Sequence, residues 1–175
     1  EEQLQKIKPG TLLLNAGRGD VIDNRALHAH MTGGAELTLA LDVWEDEPNV
    51  FLPLLPQVKI ASPHIAGYSF EGRLNGSKMI HQSLSKFLGM DSSLVMEREN
   101  TVMSAVLGEA ISINCASLND AIKQTYPIFE DDQRFRADMR ENDYQQEFDR
   151  LRKSYWQRGE FSQYSVNTED ECVHK

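Results

Sequence analysis

An arginine, a glutamate and a histidine each follow a short apolar stretch of the sequence, and together they could perform acid–base chemistry on an anionic substrate. Arg18 lies between two glycines, Glu47 precedes a proline, and His64 follows one. Taken singly, each has a more ordinary explanation, as a turn arginine, a solvated loop carboxylate and a structural histidine. Their combination indicates chemistry, because a guanidinium binds a carboxylate through two hydrogen bonds and a histidine paired with a carboxylate can accept and return a proton.

The apolar stretches before these residues predict the strands of a parallel sheet. Three stretches are apolar without alternation: Thr11–Ala16, Leu37–Val43 and Val58–Ala61. A helix over Arg25–Met31, capped by Asp23, is predicted between the first two stretches. Unalternating strands with helix-length connections are typical of a parallel sheet that is covered on both faces. Ligands bind beyond the carboxyl ends of such strands. We therefore predict an α/β fold in which the arginine, the glutamate and the histidine lie at one edge of the sheet.

A long helix over Phe70–Leu88, ended by Gly89, is predicted after the last of these strands. Its apolar side chains recur at helical spacing, so we expect them to face a core. A connector is predicted at Asp91–Asn100, where the composition changes. The expected core positions of the long helix are Leu74, Ile80, Leu84 and Phe87 or Leu88.

Residues 101–175 form a charge-rich segment, which is predicted to be a small α+β domain with a strand at Phe161–Val166. A predicted helix in it carries one apolar stripe. The stripe leaves two interpretations open: contact with a second copy of the chain, and packing within its own domain. Its members, at spacings of four, three and four, are Tyr144, Phe148, Leu151 and Tyr155.

The composition argues against several classes of function. The net charge of −9 at pH 7 disfavours nonspecific binding to nucleic acid or to an anionic membrane surface. No apolar run approaches the roughly 18 residues of a membrane-spanning helix. Cys115 and Cys172 lie far apart, which predicts neither a disulfide framework nor a zinc site and suits a cytoplasmic protein. His28 and His30 diverge on a helix, so no metal site is expected there.

Three runs carry a resemblance to a known family: NAGRGDVID around Arg18, LDVWEDEP around Glu47 and PHIAG around His64. In order, spacing and flanking residues they resemble the signature of the D-isomer-specific 2-hydroxyacid dehydrogenases. The resemblance implies an NAD-dependent enzyme in which all three residues are catalytic. Arg18 would bind the substrate carboxylate, and His64 would take the hydroxyl proton as hydride leaves for NAD. Glu47 would pair with His64 and fix its tautomer.

The same resemblance assigns roles to neighbouring residues. Asp42 and Gly67 would contact the nicotinamide end of NAD. Tyr68, directly after the PHIAG run, would contact the substrate, and with the C-terminal run FDRLRKSYWQRGEFSQYSV it points to members that act on a phosphorylated hydroxy acid. Trp44 is interpreted as a packing residue beside the site. Arg73 could help to bind a substrate phosphate, although a solvated helix arginine is the simpler interpretation.

The resemblance also implies a domain organisation. Residues 1–70 would be the C-terminal half of a Rossmann-type NAD-binding domain, 71–100 the long helix and connector, and 101–175 the dimerisation domain of a homodimer. The turn G-x-G-x-x-G, whose backbone N–H groups hold the pyrophosphate in such domains, does not occur in the 175 residues. We therefore expect this chain to be the C-terminal part of a longer enzyme, and expect that it neither binds NAD tightly nor turns over by itself.

Two alternatives share the three motifs. A sister dehydrogenase acting on 3-phosphoglycerate, glyoxylate or lactate would carry the same catalytic residues but should lack this C-terminal segment. A transcriptional corepressor of the same fold, which uses NAD(H) as a ligand to assemble partners, can retain the arginine, glutamate and histidine. The C-terminal segment argues against the corepressor, because proteins of that class tend to have disordered tails.

Overall fold

The computed structural model of the chain describes residues 2–90, 110–141, 143–155 and 158–167. The chain divides into two compact units. The first unit comprises residues 1–66 and 128–155, and the second comprises residues 67–127 and 156–175.

Helices and short strands alternate through most of the described residues. In chain order the elements are β1 Leu12–Asn15, α1 Asn24–Thr32, β2 Thr38–Leu41, β3 Val58–Ala61, α2 Phe70–Leu88, β4 Ile111–Asn114, α3 Leu118–Thr125, α4 Ile128–Asp138, α5 Tyr144–Lys153 and β5 Tyr164–Asn167. Short 3-10 helices cover Leu4–Lys6, Gly19–Val21, Leu52–Gln57 and Phe161–Gln163.

The first unit is built on a parallel sheet in which β2 lies between β1 and β3. Leu13 of β1 pairs with Leu39 of β2, and Leu41 of β2 pairs with Ala61 of β3. The predicted parallel sheet and α/β fold class are confirmed. Because the strands run in the same direction, the loops that follow them leave from one edge of the sheet.

Helix α1 connects β1 to β2 and begins at Asn24, one residue before the predicted start at Arg25. The carboxylate of Asp23 accepts a hydrogen bond from the backbone N–H of Ala26 at 2.8 Å, which satisfies one of the free N–H groups of the first turn. Leu27 is completely buried, in the same hydrophobic cluster as Leu39 and Leu41 of β2. The helix ends at Thr32, before the two glycines at 33 and 34.

The outer edge of β3 is closed by α4. Asp132 Oδ1 accepts the N–H of Ala61 at 2.7 Å, while Arg136 donates to the carbonyl oxygens of Leu55 at 2.9 Å and Val58 at 2.6 Å. Arg136 and Asp132 are themselves joined by two hydrogen bonds. An edge strand presents unpaired backbone groups, and this ion pair satisfies such groups at both ends of β3.

Two side chains of the predicted stripe lie in the core of the first unit. Phe148 is fully buried, with its ring centroid 6.0 Å from that of Phe135, and Phe135 lies 5.6 Å from Trp44. Leu151 belongs to the same cluster. The interpretation of Phe148 and Leu151 as dimer contacts is therefore wrong, because α5 packs them against its own chain. The units differ here from the predicted domains, since α4 and α5 group with residues 1–66.

Helix α2 of the second unit has the predicted bounds, but its apolar stripe is exposed. The side chain of Ser69 accepts the N–H of Gly72 at 3.0 Å, and Gly89 ends the helix at φ 66°. The prediction that the stripe faces a core is wrong. Helical spacing shows that apolar side chains share one face, but no described element covers that face. The exposed fractions are 73% for Ile80, 53% for Leu84, 86% for Phe87 and 55% for Leu88, while Leu74 is partly buried.

Among its described residues, the rest of the second unit includes a two-stranded parallel sheet and a short helix. Ile113 of β4 pairs with Val166 of β5, and the side chain of Ser117 caps α3 by accepting the N–H of Asp120 at 3.2 Å. The strand predicted at Phe161–Val166 begins later than expected, because its first three residues form a 3-10 helix. The predicted connector Asp91–Asn100 and Cys172 lie outside the described residues.

Candidate active site

The loops after β2 and β3 bring Glu47 and His64 together. Glu47 Oε2 lies 2.7 Å from His64 Nδ1, and Glu47 Oε1 accepts the backbone N–H of Trp44 at 2.8 Å. Both side chains are half-buried, with 29% of His64 and 17% of Glu47 exposed. A carboxylate against Nδ1 favours the proton on that nitrogen, which leaves Nε2 able to accept another proton. None of the residues that the structure describes bonds to Nε2.

The backbone of His64 holds the ring in this position. His64 has φ 58°, in the left-handed region that residues other than glycine rarely adopt. Its N–H donates to the carbonyl oxygen of Asp42 at 2.6 Å. A residue held in such a conformation costs about 1–3 kcal/mol and persists only where the surroundings enforce it. The hydrogen bonds of the loop after β3 must therefore be strong enough to hold it.

Asp42, at the end of β2, supplies these hydrogen bonds. Its Oδ1 accepts the hydroxyl of Ser62 at 2.6 Å and the N–H of Ile65 at 2.8 Å, and its Oδ2 accepts the N–H of Ala66 at 3.0 Å. The residue is 7% exposed. A carboxylate has about four acceptor positions, so one remains on Oδ2 after these three bonds. Asp42 thus holds the loop that carries His64 and can still accept one hydrogen bond from a ligand.

Trp44 packs beneath the loop after β2, as predicted. It is 1% exposed, and its indole N–H donates to the carbonyl oxygen of Ser62 at 3.0 Å. The ring contacts Phe135 of α4. Trp44 therefore connects the loop of Glu47 to both the core and the loop of His64.

Arg18 lies on the loop after β1 and is exposed. Its Nη1 donates to the carbonyl oxygen of Gly17 at 2.8 Å, and its guanidinium forms no ion pair with any residue in the described ranges. A guanidinium carries five N–H donors. Most of the donors of Arg18 are therefore available to an anionic ligand.

Gly19 lets the loop of Arg18 contact the loop of Glu47 directly. A Cβ atom at this position would lie 1.9 Å from the carbonyl oxygen of Trp44 and 2.8 Å from the nitrogen of Glu45. Such distances are far shorter than van der Waals contact. Only glycine permits this approach of the two backbones, so the R-G dipeptide in the sequence has a steric explanation.

Sequence reasoning did not single out the contact between Asn24 and Glu45. Glu45 Oε2 accepts the N–H of Asn24 at 2.9 Å, and Asn24 Oδ1 accepts the N–H of Glu45 at 3.3 Å. Asn24 is 1% exposed. The pair fixes the loop after β2 to the start of α1. The two residues are 21 positions apart, and no spacing rule predicts their contact.

Gly67 and Tyr68, the other predicted binding residues, belong to the second unit. A Cβ atom built on Gly67 would meet no other protein atom within 4 Å, so a ligand could approach its backbone. The ring of Tyr68 lies 4.2 Å from the guanidinium carbon of Arg73, a distance typical of a cation–π contact. Arg73 is therefore held against Tyr68, in contrast to the simpler interpretation of a freely solvated side chain.

Neither a cluster of possible metal ligands nor a membrane-spanning helix is found in the part of the chain that the structure describes. No group of three or more histidine, cysteine, aspartate or glutamate side chains there is placed to hold a metal ion. None of the helices in the described ranges combines the length and apolar character needed to cross a bilayer.

Residues 1–66 match the family model described as "D-isomer specific 2-hydroxyacid dehydrogenase, NAD binding domain". This part of the chain is therefore similar to the NAD-binding domain of that family. The match confirms the resemblance carried by the three runs and indicates NAD as the cofactor. Residues 102–175 match a second model, described as "Domain of unknown function (DUF3410)".

Curated relatives cover almost all of the chain. It is 46% identical to the erythronate-4-phosphate dehydrogenase of Teredinibacter turnerae over 164 residues, which are 93% of this chain and 44% of that protein. Identity is 42% to the enzyme of the same name from Saccharophagus degradans, over 91% of this chain and 42% of the relative. The chain is 38% identical to the erythronate-4-phosphate dehydrogenase of Cellvibrio japonicus, over 95% of this chain and 46% of that protein. The chain therefore spans less than half the length of these relatives.

The geometry predicts the tautomer of His64. Neutral His64 should carry its proton on Nδ1, because Glu47 Oε2 accepts it at 2.7 Å. Glu47→Ala removes the acceptor, and the ring should then change to the Nε2–H form that histidine prefers in water. Long-range 1H–15N correlation spectra of the labelled protein distinguish the two forms.

Asp20→Ala is the matched control, because it removes an exposed carboxylate after β1 that does not contact the ring. The Nδ1–H form should persist in this variant. An Nε2–H form in the unmodified protein would contradict the proposed pairing.

Proposed function

We propose that the protein containing this chain oxidises 4-phospho-D-erythronate to 2-oxo-3-hydroxy-4-phosphobutanoate with NAD as hydride acceptor, in the biosynthesis of vitamin B6. The observation that carries the proposal is the His64–Glu47 pair with its available Nε2, at the edge of an NAD-binding sheet. The names of the relatives support the choice of substrate. Their similarity extends through the C-terminal segment, which a sister dehydrogenase is not expected to carry.

His64 moves the proton in this reaction. Oxidation of the alcohol removes a hydride from C2 and a proton from its hydroxyl oxygen, and NAD supplies the acceptor for the hydride. His64 Nε2 accepts the hydroxyl proton, while the carboxylate of Glu47 on Nδ1 stabilises the imidazolium that forms. In the reverse direction Nε2 returns the proton to the oxygen. A positioned general base of this kind contributes about 10²–10⁴-fold to the rate.

Arg18 binds the carboxylate at C1 of the substrate. Its guanidinium has one hydrogen bond, to the carbonyl oxygen of Gly17, so two parallel N–H donors can reach a carboxylate. This contact orients C2, which is bonded directly to the carboxylate carbon. The chain has a net charge of −9, which repels an anionic substrate. The positive charge of Arg18 offsets this repulsion at the position where the substrate carboxylate binds.

Asp42 and Gly67 are suited to the nicotinamide end of NAD. The remaining acceptor position on Asp42 Oδ2 can take an N–H of the carboxamide, since its other positions are used by the loop after β3. The open space at Gly67 allows close approach to the backbone. These residues hold only that end, because the glycine-rich turn for the pyrophosphate does not occur in these 175 residues.

Tyr68 contacts the substrate, with Arg73 supplying positive charge for its phosphate. The ring of Tyr68 restricts the guanidinium of Arg73. Within the described residues this guanidinium has no carboxylate partner. A restrained guanidinium with available donors suits a phosphate group.

The substrate is tested with the full-length protein. We expect it to form NADH from 4-phosphoerythronate, with little turnover of 3-phosphoglycerate or lactate and little use of glyoxylate in the reverse direction. His64→Gln should lower kcat about 10²–10⁴-fold. His28→Gln is the matched control, because His28 is a partly buried histidine whose Nδ1 bonds Gln57 at 3.0 Å, and kcat should be unchanged.

Other outcomes would favour the alternatives. Faster turnover of 3-phosphoglycerate, glyoxylate or lactate would identify a sister dehydrogenase. Tight binding of NAD(H) without turnover of any of these acids would support the corepressor.

The protein is further proposed to be a homodimer that associates through the C-terminal segment. The apolar stripe of α5 does not serve this purpose, since its central members are buried. Large apolar side chains remain exposed elsewhere in the segment, and they support the proposal: Ile111 at 53%, Leu118 at 44% and Ile122 at 42%.

The dimer is tested by the mass in solution. Leu118→Glu combined with Ile122→Glu should convert the full-length protein from dimer to monomer in sedimentation equilibrium, because charge would be buried in the interface. Met79→Glu, at an exposed position of α2 outside the C-terminal segment, should leave the dimer intact. A monomeric parent protein, or a double variant that stays dimeric, would contradict the proposal.

A further inference from the structure

Asn15, the last residue of β1, holds the loop that carries Arg18. Its side-chain Nδ2 donates to the carbonyl oxygen of Arg18 at 2.9 Å, and its Oδ1 accepts the N–H of Gly17 at 3.1 Å. The residue is only 8% exposed. One side-chain amide therefore closes the turn at two points.

The position of Arg18 depends on this turn more than on its own contacts. The guanidinium is exposed and has a single hydrogen bond, to the carbonyl oxygen of Gly17. Gly17 is in turn held through its N–H by Asn15. The side-chain amide of Asn15 thus holds both the backbone of Arg18 and the residue, Gly17, to which the guanidinium bonds.

An amide is the side chain that this position requires. It offers a donor and an acceptor at once, whereas an ionised carboxylate of the same shape can only accept. A carboxylate here would place negative charge against the carbonyl oxygen of Arg18. Removing a buried partner also leaves the other group unsatisfied, which costs more than the bond itself contributes.

Asn15 also connects this loop to the rest of the site. Its backbone carbonyl oxygen accepts the N–H of Asp42 at 2.9 Å. Asp42 holds the loop of His64 through the bonds described above. A short series of hydrogen bonds therefore leads from the carbonyl of Arg18 through Asn15 and Asp42 to the backbone of His64.

We propose that Asn15 is a positioning residue that directs the Arg18 guanidinium toward the substrate carboxylate. The inference rests on the proposed function for the identity of that substrate. Asn15 acts through Arg18, so its loss affects substrate binding while the proton transfer at His64 and the binding of NAD remain.

The test uses Asn15→Asp and Asn15→Ala in the full-length protein, with Asn75→Asp as the matched control on the exposed surface of α2. Both Asn15 variants should raise KM for 4-phosphoerythronate by about 5- to 100-fold, the range expected when the charged hydrogen bonds from Arg18 to the substrate carboxylate are weakened. KM for NAD should change little, while the melting temperature of both Asn15 variants should fall, because a buried hydrogen bond within the loop is lost. The Asn75→Asp variant should match the parent protein in all three quantities.

The pH profile separates a specific role of the amide from a general structural one. At low pH the introduced carboxyl group becomes protonated and again offers one donor and one acceptor. Recovery should therefore follow the protonation of this carboxyl group, whose usual pKa in water is about 3.9. The charged residues whose backbones bond Asn15 are Arg18 and Asp42, and both are the same in the parent and the variants.

The expected result is a ratio of kcat/KM, Asn15→Asp to parent, that rises as the pH falls, measured for reduction of the 2-oxo acid. Dividing by the parent removes any pH dependence that the two proteins share. The ratio for Asn15→Ala should stay constant, because this variant gains no donor. An unchanged KM in Asn15→Asp, or equal increases in the KM values for substrate and NAD, would overturn the inference.

A second measurement does not depend on turnover. Backbone 15N relaxation of Arg18 in the full-length protein should show greater motion in both Asn15 variants and no change in Asn75→Asp. Unchanged order at Arg18 would overturn the positioning role even if another acid proved to be the substrate. Absence of NADH formation by the parent, with the expected change at Arg18, would instead count against the proposed function alone.

Discussion

The buried carboxylate of Asp42 is the interaction on which the geometry of the site depends. It accepts hydrogen bonds from Ser62, Ile65 and Ala66, and so joins the end of β2 to the loop after β3. The residue between these contacts, His64, has a left-handed backbone that costs about 1–3 kcal/mol. Bonds to a charged acceptor contribute about twice as much as neutral ones. They can therefore offset that cost and keep Nδ1 of His64 against Glu47.

Residues of α4, which lies much later in the chain, stabilise this arrangement by packing and hydrogen bonding. Trp44, three positions before Glu47, is buried against Phe135 of α4, and Asp132 of the same helix accepts the last N–H of β3. The helices after residue 127 thus complete the core next to the loops that carry Glu47 and His64. This explains why the apolar stripe of α5 lies inside the first unit, where Phe148 packs against Phe135.

The three strands of the first unit, the bounds of α2 and the chemical types at these strand ends could be predicted from the sequence, because each is a local property, whereas the strand Ile111–Asn114 was not predicted. Contacts between distant loops could not be predicted. Nothing in the letters around Asn24 indicates its bonds to Glu45, and the need for glycine at position 19 depends on the backbone of Trp44. Periodicity has a similar limit. It correctly predicted that Phe148 and Ile80 lie on apolar helix faces. Whether another element covers such a face depends on distant parts of the chain, and Phe148 is buried while Ile80 is exposed.

A double-mutant cycle tests most directly the claim that Glu47 and His64 act as one unit. The kcat values of Glu47→Gln, His64→Gln and the double variant would be compared in the full-length protein. If Glu47 acts only through His64, the double variant should lose about as much activity as His64→Gln alone, because residues that act as a unit are not additive. Losses that multiply would show that the two side chains contribute independently, and would contradict the pairing at the centre of this account.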